Sequence, residues 1–121
     1  MMRRILLIDD EPDIRAIARI AIEVVAGWEW TEADSGLAGL EVARATTPDA
    51  VLIDVMMPGM DGIATAGAFR ADSALRELPL ILLTAKSMDD RHEWLVNGIL
   101  PKPFDPMTLG NDIARILGWD T

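Results

Sequence analysis

Four polar sites stand directly after apolar runs, and their side chains are the ones with chemistry to offer. Arg4-Ile5-Leu6-Leu7-Ile8 leads into Asp9-Asp10, Ala50-Val51-Leu52-Ile53 into Asp54, Leu80-Ile81-Leu82-Leu83 into Thr84, and Ile99-Leu100-Pro101 into Lys102. If these runs are parallel strands, their carboxyl ends gather at one sheet edge, where open α/β sheets bind ligands. Three carboxylates, a hydroxyl and an ammonium would then meet. Two unit charges about 4 Å apart repel by roughly 4 kcal/mol at an effective dielectric near 20, so the acidic group calls for protons or a cation. Oxygen ligands partly open to water suit Mg²⁺, which would offset the negative field facing an incoming phosphoryl group. Asp54 is then placed to attack phosphorus and become an aspartyl phosphate. Thr84 can donate to a phosphoryl oxygen, and Lys102 supplies a compact cation. Taken singly each residue has a plainer reading: a helix cap for Asp9-Asp10, a turn for Asp54, a backbone-bonded hydroxyl for Thr84, a solvated cation for Lys102. Their joint placement at strand ends is what points to a phosphoacceptor.

Positioning them requires alternating strands and helices, and the chain has that pattern. After the first run, Pro12 suits a first helical position. Ile14, Ile17, Ala18, Ala21, Val24 and Val25 recur at helical spacing up to Gly27. Trp28 to Ala33 reads as a second strand, less apolar and so at the sheet edge. Ser35 caps a helix to about Thr46, with Pro48 beyond it. After the third strand comes a turn-rich loop, Met57-Pro58-Gly59-Met60-Asp61-Gly62. Asp61 then caps a helix carrying Ile63, Ala66 and Phe69. A charged helix is expected from about Met88 to Asn97, and Asp105-Pro106 opens a last one bearing Leu109, Ile113, Ile116 and Leu117. Five such β-α units imply an α/β fold: a doubly wound parallel sheet of five strands with helices on both faces.

Composition narrows the class. At 121 residues the chain is one domain spanning 1–121, large enough for a core without staples. It has no Cys, hence neither disulfides nor thiolate metal sites. No apolar stretch approaches the roughly 20 residues of a membrane span, and Met1-Met2-Arg3-Arg4 does not open a signal peptide. A net charge of −9 disfavours nucleic-acid backbones. A cytoplasmic domain with no direct nucleic-acid contact and no membrane insertion is expected.

The segments Ile8-Asp9-Asp10-Glu11, Asp54-Val55-Met56-Met57-Pro58-Gly59-Met60-Asp61-Gly62, Thr84-Ala85 and Lys102-Pro103-Phe104 resemble those of receiver domains of two-component response regulators, from Arg4 to Leu117. The resemblance implies a flavodoxin-like sheet of order 2-1-3-4-5. It implies that Asp54 accepts a phosphoryl group from a phosphohistidine on a sensor histidine kinase or a histidine phosphotransfer protein. Asp10, Asp54 and the backbone carbonyl of Met56 would ligate Mg²⁺, with Asp9 assisting, often through water. Thr84 and Lys102 would contact the phosphoryl group, and the Lys102-Pro103 bond would be cis. Phosphorylation would shift the surface of residues 84–118 to control a downstream protein target or a phosphorelay. No output domain follows Thr121, so a stand-alone receiver of the chemotaxis-regulator kind, signalling and not an enzyme, is expected; a segment of a longer protein fits as well.

Three departures from the family pattern stand out. Thr84 and Lys102 lie 18 positions apart, a shorter interval than is usual in the family. Ile99 stands where receivers carry Tyr or Phe, and Trp94 is a candidate substitute for that aromatic. Lys86, two residues after Thr84, is placed to affect water's access to the phosphoryl group. Two alternatives follow. A degenerate receiver would act as a phosphorylation-independent interaction module. A Mg²⁺-dependent aspartyl-phosphate phosphohydrolase would need a second Asp where Met56 stands. Elsewhere His92 reads as a solvated helix residue, and Met56, Met57 and Met60 as loop packing. Trp28 and Trp30 share a strand face, and Trp119 packs near the last helix.

Overall fold

The computed structural model describes residues 2–85 and 94–120. Five strands form one parallel sheet: β1 (Arg4–Ile8), β2 (Glu29–Ala33), β3 (Ala50–Asp54), β4 (Leu80–Thr84) and β5 (Gly98–Pro101). Their order is β2-β1-β3-β4-β5, as the resemblance implied. The helices are α1 (Pro12–Ile20), continued by a π-helical stretch Ala21–Ala26, then α2 (Gly36–Thr46), α3 (Gly62–Ala71) and α4 (Leu109–Leu117).

Strand side chains alternate between two faces, and the sheet divides the core accordingly. Leu6, Ile8, Val51, Ile53, Leu80 and Leu82 meet Leu40 and Ala43 of α2 and Ala66 and Phe69 of α3. Ile5, Leu7, Ala50, Leu52, Ile81 and Leu83 meet Ala18, Ala21 and Ile22 on one side and Leu109 and Ile113 of α4 on the other. Strands covered on both faces read as continuous apolar runs, which is why β1, β3 and β4 stand out in the sequence. Each fully buried Leu or Ile contributes about 1.5–3 kcal/mol. The edge strand β2 is less covered, with Glu29 and Glu32 exposed and only Ala33 buried.

Local signals set most boundaries. Ser35 Oγ accepts the Ala38 N–H at 3.2 Å to start α2, and Asp61 Oδ1 accepts that of Ala64 at 2.8 Å to start α3. Gly27, at φ 74°, ends the first helical segment, and the Trp28 N–H reaches back to the Ile22 oxygen.

Three expectations need correction. Of the apolar repeat in the first helix, only Ala18 and Ala21 are buried, together with Ile22, which the repeat omits; Ile17, Val24 and Val25 are exposed. Small alanines lie against the sheet and the larger residues flank them. The π-helical stretch also winds more loosely than the 3.6-residue period assumes. The last helix begins at Leu109 behind Thr108 rather than at Asp105; the Asp105 carboxylate instead accepts the Met107 N–H two residues on. Of the charged helix, residues 88–93, with His92, lie outside the described residues. None of 94–97 is α-helical: the Asn97 N–H already bonds the Leu80 oxygen and its side chain takes the Leu80 N–H.

Candidate functional site

The carboxyl edge of the sheet gathers the acidic residues. The Asp9 N–H extends the ladder by bonding the Ala33 oxygen at 3.0 Å, which fixes the residue just past β1. Its side chain is fully buried and both oxygens are used: Oδ1 accepts the Glu11 N–H at 2.9 Å and Oδ2 accepts from Lys102 Nζ at 3.1 Å. Arg15, one turn into α1, donates to the Asp9 carbonyl at 2.8 Å and to Glu32 at 2.7 Å.

Asp54 ends β3 opposite Leu83 and is 2 % exposed. A close loop holds it. The Gly62 N–H bonds the Val55 oxygen at 3.0 Å, and a Cβ at Gly62 would fall 2.4 Å from the Asp54 carbonyl and 2.6 Å from Val55 Cα. Backbone cannot yield as a flexible side chain can, so this position requires glycine. Asp54 Oδ1 faces the Met56 N–H at 3.4 Å and Lys102 Nζ at 3.2 Å.

Lys102 arrives from the opposite side of the chain. Its N–H bonds the Thr84 oxygen at 2.9 Å, continuing the β4–β5 ladder, and the Lys102-Pro103 bond is cis. This brings its ammonium between Asp9 and Asp54. Thr84 is one residue beyond Leu83, the register partner of Asp54, and so stands beside the same edge. The described residues thus bring Asp9, Asp10, Asp54 and Lys102 together, with Thr84 adjacent. Lys86 lies outside them, and Trp94 is exposed.

Two residues passed over in the sequence belong here. Glu11 gives an oxygen to Lys102 Nζ at 3.1 Å, and Arg15 steadies Asp9. Their signal was weak: a third acid after Asp9-Asp10, and an arginine four positions later on the first helix.

The donor set fits a hard divalent cation. Asp9, Asp10, Glu11 and Asp54 each offer an oxygen within 4.8 Å of the others. Asp10 Oδ1 and Asp54 Oδ2 are buried and find no hydrogen-bond partner among the described residues. Buried carboxylate oxygens without donors are costly, and a bound cation satisfies them. Asp9 is engaged through both oxygens, while Asp10 and Asp54 each keep one buried oxygen that a cation could take.

Burial, followed by the charge of Asp9, pushes the Asp54 carboxyl above its ordinary range, and Lys102 and the Met56 N–H only partly counter this. Burial works against the Lys102 ammonium, but the hydrogen bonds it donates to Glu11 and Asp9 and the charges of Asp9 and Asp54 outweigh it and raise its pKa. Lys102 is therefore a permanent cation, and the Asp54 charge is held against desolvation.

The chain is similar to known proteins in sequence and fold. The family described as "Response regulator receiver domain" matches residues 5–114. The phosphate regulon transcriptional regulatory protein PhoB of Pseudomonas aeruginosa is 35% identical, covering 94% of this chain and 50% of that protein. The chemotaxis protein CheY of the same organism is 32% identical, with 93% of this chain and 94% of that protein covered. Among solved structures, the Vibrio cholerae chemotaxis protein CheY4 superposes with a TM-score of 0.88 at 29% identity, covering 96% of this chain and 99% of that one. The chain spans half the length of PhoB and a quarter of the Caulobacter vibrioides response regulator PleD, but nearly all of CheY.

Proposed function

The chain belongs to the response regulator receiver domain family, and from that premise we propose that it is a phosphoacceptor: Asp54 takes a phosphoryl group from the phosphohistidine of a histidine kinase or histidine phosphotransfer protein. The observation that carries this reading is the meeting of Lys102 Nζ, 3.2 Å from Asp54 Oδ1, with an Asp54 Oδ2 that has no donor among the described residues. A buried nucleophile with one oxygen steadied by a cation and the other available is arranged for attack.

Asp10, Asp54 and the Met56 carbonyl hold Mg²⁺ in this reading, with Asp9 assisting through water. Bound there, the ion supplies positive charge against the transferring phosphoryl oxygens. The chain's own groups do the rest. Asp9 and Asp54 orient the Lys102 ammonium, and Arg15 and the Glu11 N–H keep Asp9 from rotating. The Asp54 oxygen attacks phosphorus as the bond from phosphorus to the donor nitrogen breaks, and the imidazole leaves with the electron pair. Thr84 and Lys102 then contact the new phosphoryl oxygens. Their movement biases the surface formed by residues 84–118 toward binding a downstream protein or passing the phosphoryl group to another histidine.

This is signalling rather than turnover. Among the described residues no helix is long and apolar enough to cross a membrane. Incubation with Mg²⁺ and acetyl phosphate should add one phosphoryl group by intact mass, and Asp54→Asn should abolish the gain. Failure of the wild-type protein to form the adduct would favour a phosphorylation-independent module, and repeated turnover of phosphate esters would favour a phosphohydrolase.

A further inference from the structure

We infer that Glu11 is a positioning residue for the transfer: it occupies the Lys102 donor that the phosphoryl group must claim, and it surrenders that donor when Asp54 is phosphorylated. The inference rests on the phosphoacceptor reading and deepens it.

Lys102 Nζ lies 3.1 Å from Asp9 Oδ2, 3.1 Å from Glu11 Oε1 and 3.2 Å from Asp54 Oδ1. An ammonium has three N–H groups; two are donated to Asp9 and Glu11, and Asp54 faces the same ammonium as an ion pair. A phosphoryl oxygen on Asp54 can be bonded by Lys102 only if one contact opens. The three partners differ sharply in what they can give up. Asp9 is fully buried and locked through both oxygens. Asp54 is the acceptor itself and stays beside Lys102 as the phosphate forms. The Glu11 side chain is 58% exposed, and water can replace its contact at little cost. Glu11 is the contact that yields.

The position of Glu11 supports the same conclusion. It is the residue immediately before α1, where Ser, Thr, Asp and Asn rather than Glu are the usual caps. Its side chain makes no capping hydrogen bond and is turned onto Lys102 instead. It also adds a negative charge next to the approach of an anionic donor. Glu11 therefore restrains the site twice, through competition for a proton and through repulsion of the phosphoryl oxygens. In the transfer from acetyl phosphate, the Asp54 oxygen bonds to phosphorus and the bond from phosphorus to the acetate oxygen breaks, acetate leaving with the electron pair. Glu11 takes no part in these bonds; it sets how readily Lys102 turns toward the oxygens that develop charge.

Glu11→Gln tests this. Its phosphorylation by acetyl phosphate, followed by intact mass at saturating Mg²⁺, should be about three- to tenfold faster than wild type, the effect of removing one unit charge a few ångströms away in a largely aqueous setting. The Mg²⁺ concentration for half-maximal rate should stay unchanged. In the metal-free protein, the ¹⁵N-detected ammonium protons of Lys102 should exchange faster with water, a readout that needs no phosphorylation. A slower rate with weakened Mg²⁺ dependence would overturn the inference and make Glu11 a metal ligand. Unaltered rate and unaltered ammonium exchange would overturn it too. A wild-type protein that takes no phosphoryl group would overturn the phosphoacceptor reading itself, and this shows in the control before any variant is compared.

Discussion

The two ends of the sheet are built from the same strands and hold their charges differently. At the carboxyl end Asp9 and Asp54 are buried and crowd one ammonium, and among the described residues oxygens of Asp10 and Asp54 find no donor. At the amino end the charges face water. Arg4 pairs with Glu29 at 3.1 Å while both remain well exposed, and its backbone N–H is taken by Asp49. Arg3 lies 4.2 Å above the Trp119 ring, which meets Trp28 edge-on with ring centroids 5.4 Å apart. Each of these groups has a partner. Stability favours the amino-end arrangement; the carboxyl end holds desolvated charge in tension, which is what a site must do to bind a cation and an anion in turn. Crowded acids at one edge and satisfied pairs at the other make the carboxyl edge the candidate site.

Several substitutions sharpen or break that contrast. Gly62→Ala should act most strongly, because the added methyl strikes the backbone of Asp54 and Val55. A loss of about 3 kcal/mol in chemical denaturation, with phosphorylation slowed at least about tenfold, is expected. Arg70→Ala removes donors to Leu95, Arg76 and Leu78 carbonyls and to the Asn97 side chain. It should cost about 2 kcal/mol while the protein still takes up a phosphoryl group, since Arg70 is not part of the site. Trp119→Ala should cost about 1–2 kcal/mol through the lost ring contacts and leave the phosphorylation rate unchanged; a slowed rate would show that the two ends are coupled.

Asp54→Asn should do the opposite and raise Tm at neutral pH without Mg²⁺. The Asp54 pKa is raised in the fold, so the folded state binds more protons than the unfolded one between the ordinary carboxylate pKa and the folded value. Stability therefore falls as pH rises through that window. The advantage of Asn over Asp should shrink as pH is lowered through it, and Mg²⁺ should raise the Tm of wild type more than that of the variant. A Tm difference that did not change with pH would remove the desolvation argument. Glu29→Gln, at the amino end, should shift stability by less than about 0.5 kcal/mol.

Much of this was readable in advance because it depends on local pattern. Strand runs buried on both faces are continuous and easily seen, and the caps Ser35 and Asp61 act within three residues of themselves. The first helix was misjudged for the converse reason. Which of Ile17, Ile22 and Val24 faces the sheet depends on how closely the alanines let the helix approach, and on a change in its winding. The start of α4 depends on how residues 102–108 cross the sheet edge after the cis bond, which no periodicity encodes. At the site, Asp9, Asp10, Asp54, Thr84 and Lys102 were legible as strand-end polar residues. Glu11 was not, because its partner Lys102 comes from the other end of the chain, nor was Arg15, whose bond to Asp9 is to the backbone and not to the side chain.

By itself the sequence determined that the strand ends would converge, since parallel strands joined by helical crossovers must all present their carboxyl ends to one edge. Only the tertiary structure decided how that edge is wired. Burial and donor geometry at Asp54, and the sharing of one ammonium among Asp9, Glu11 and Asp54, arise from distances between segments far apart in the chain, and desolvation is a property of the assembled volume, not of any one segment.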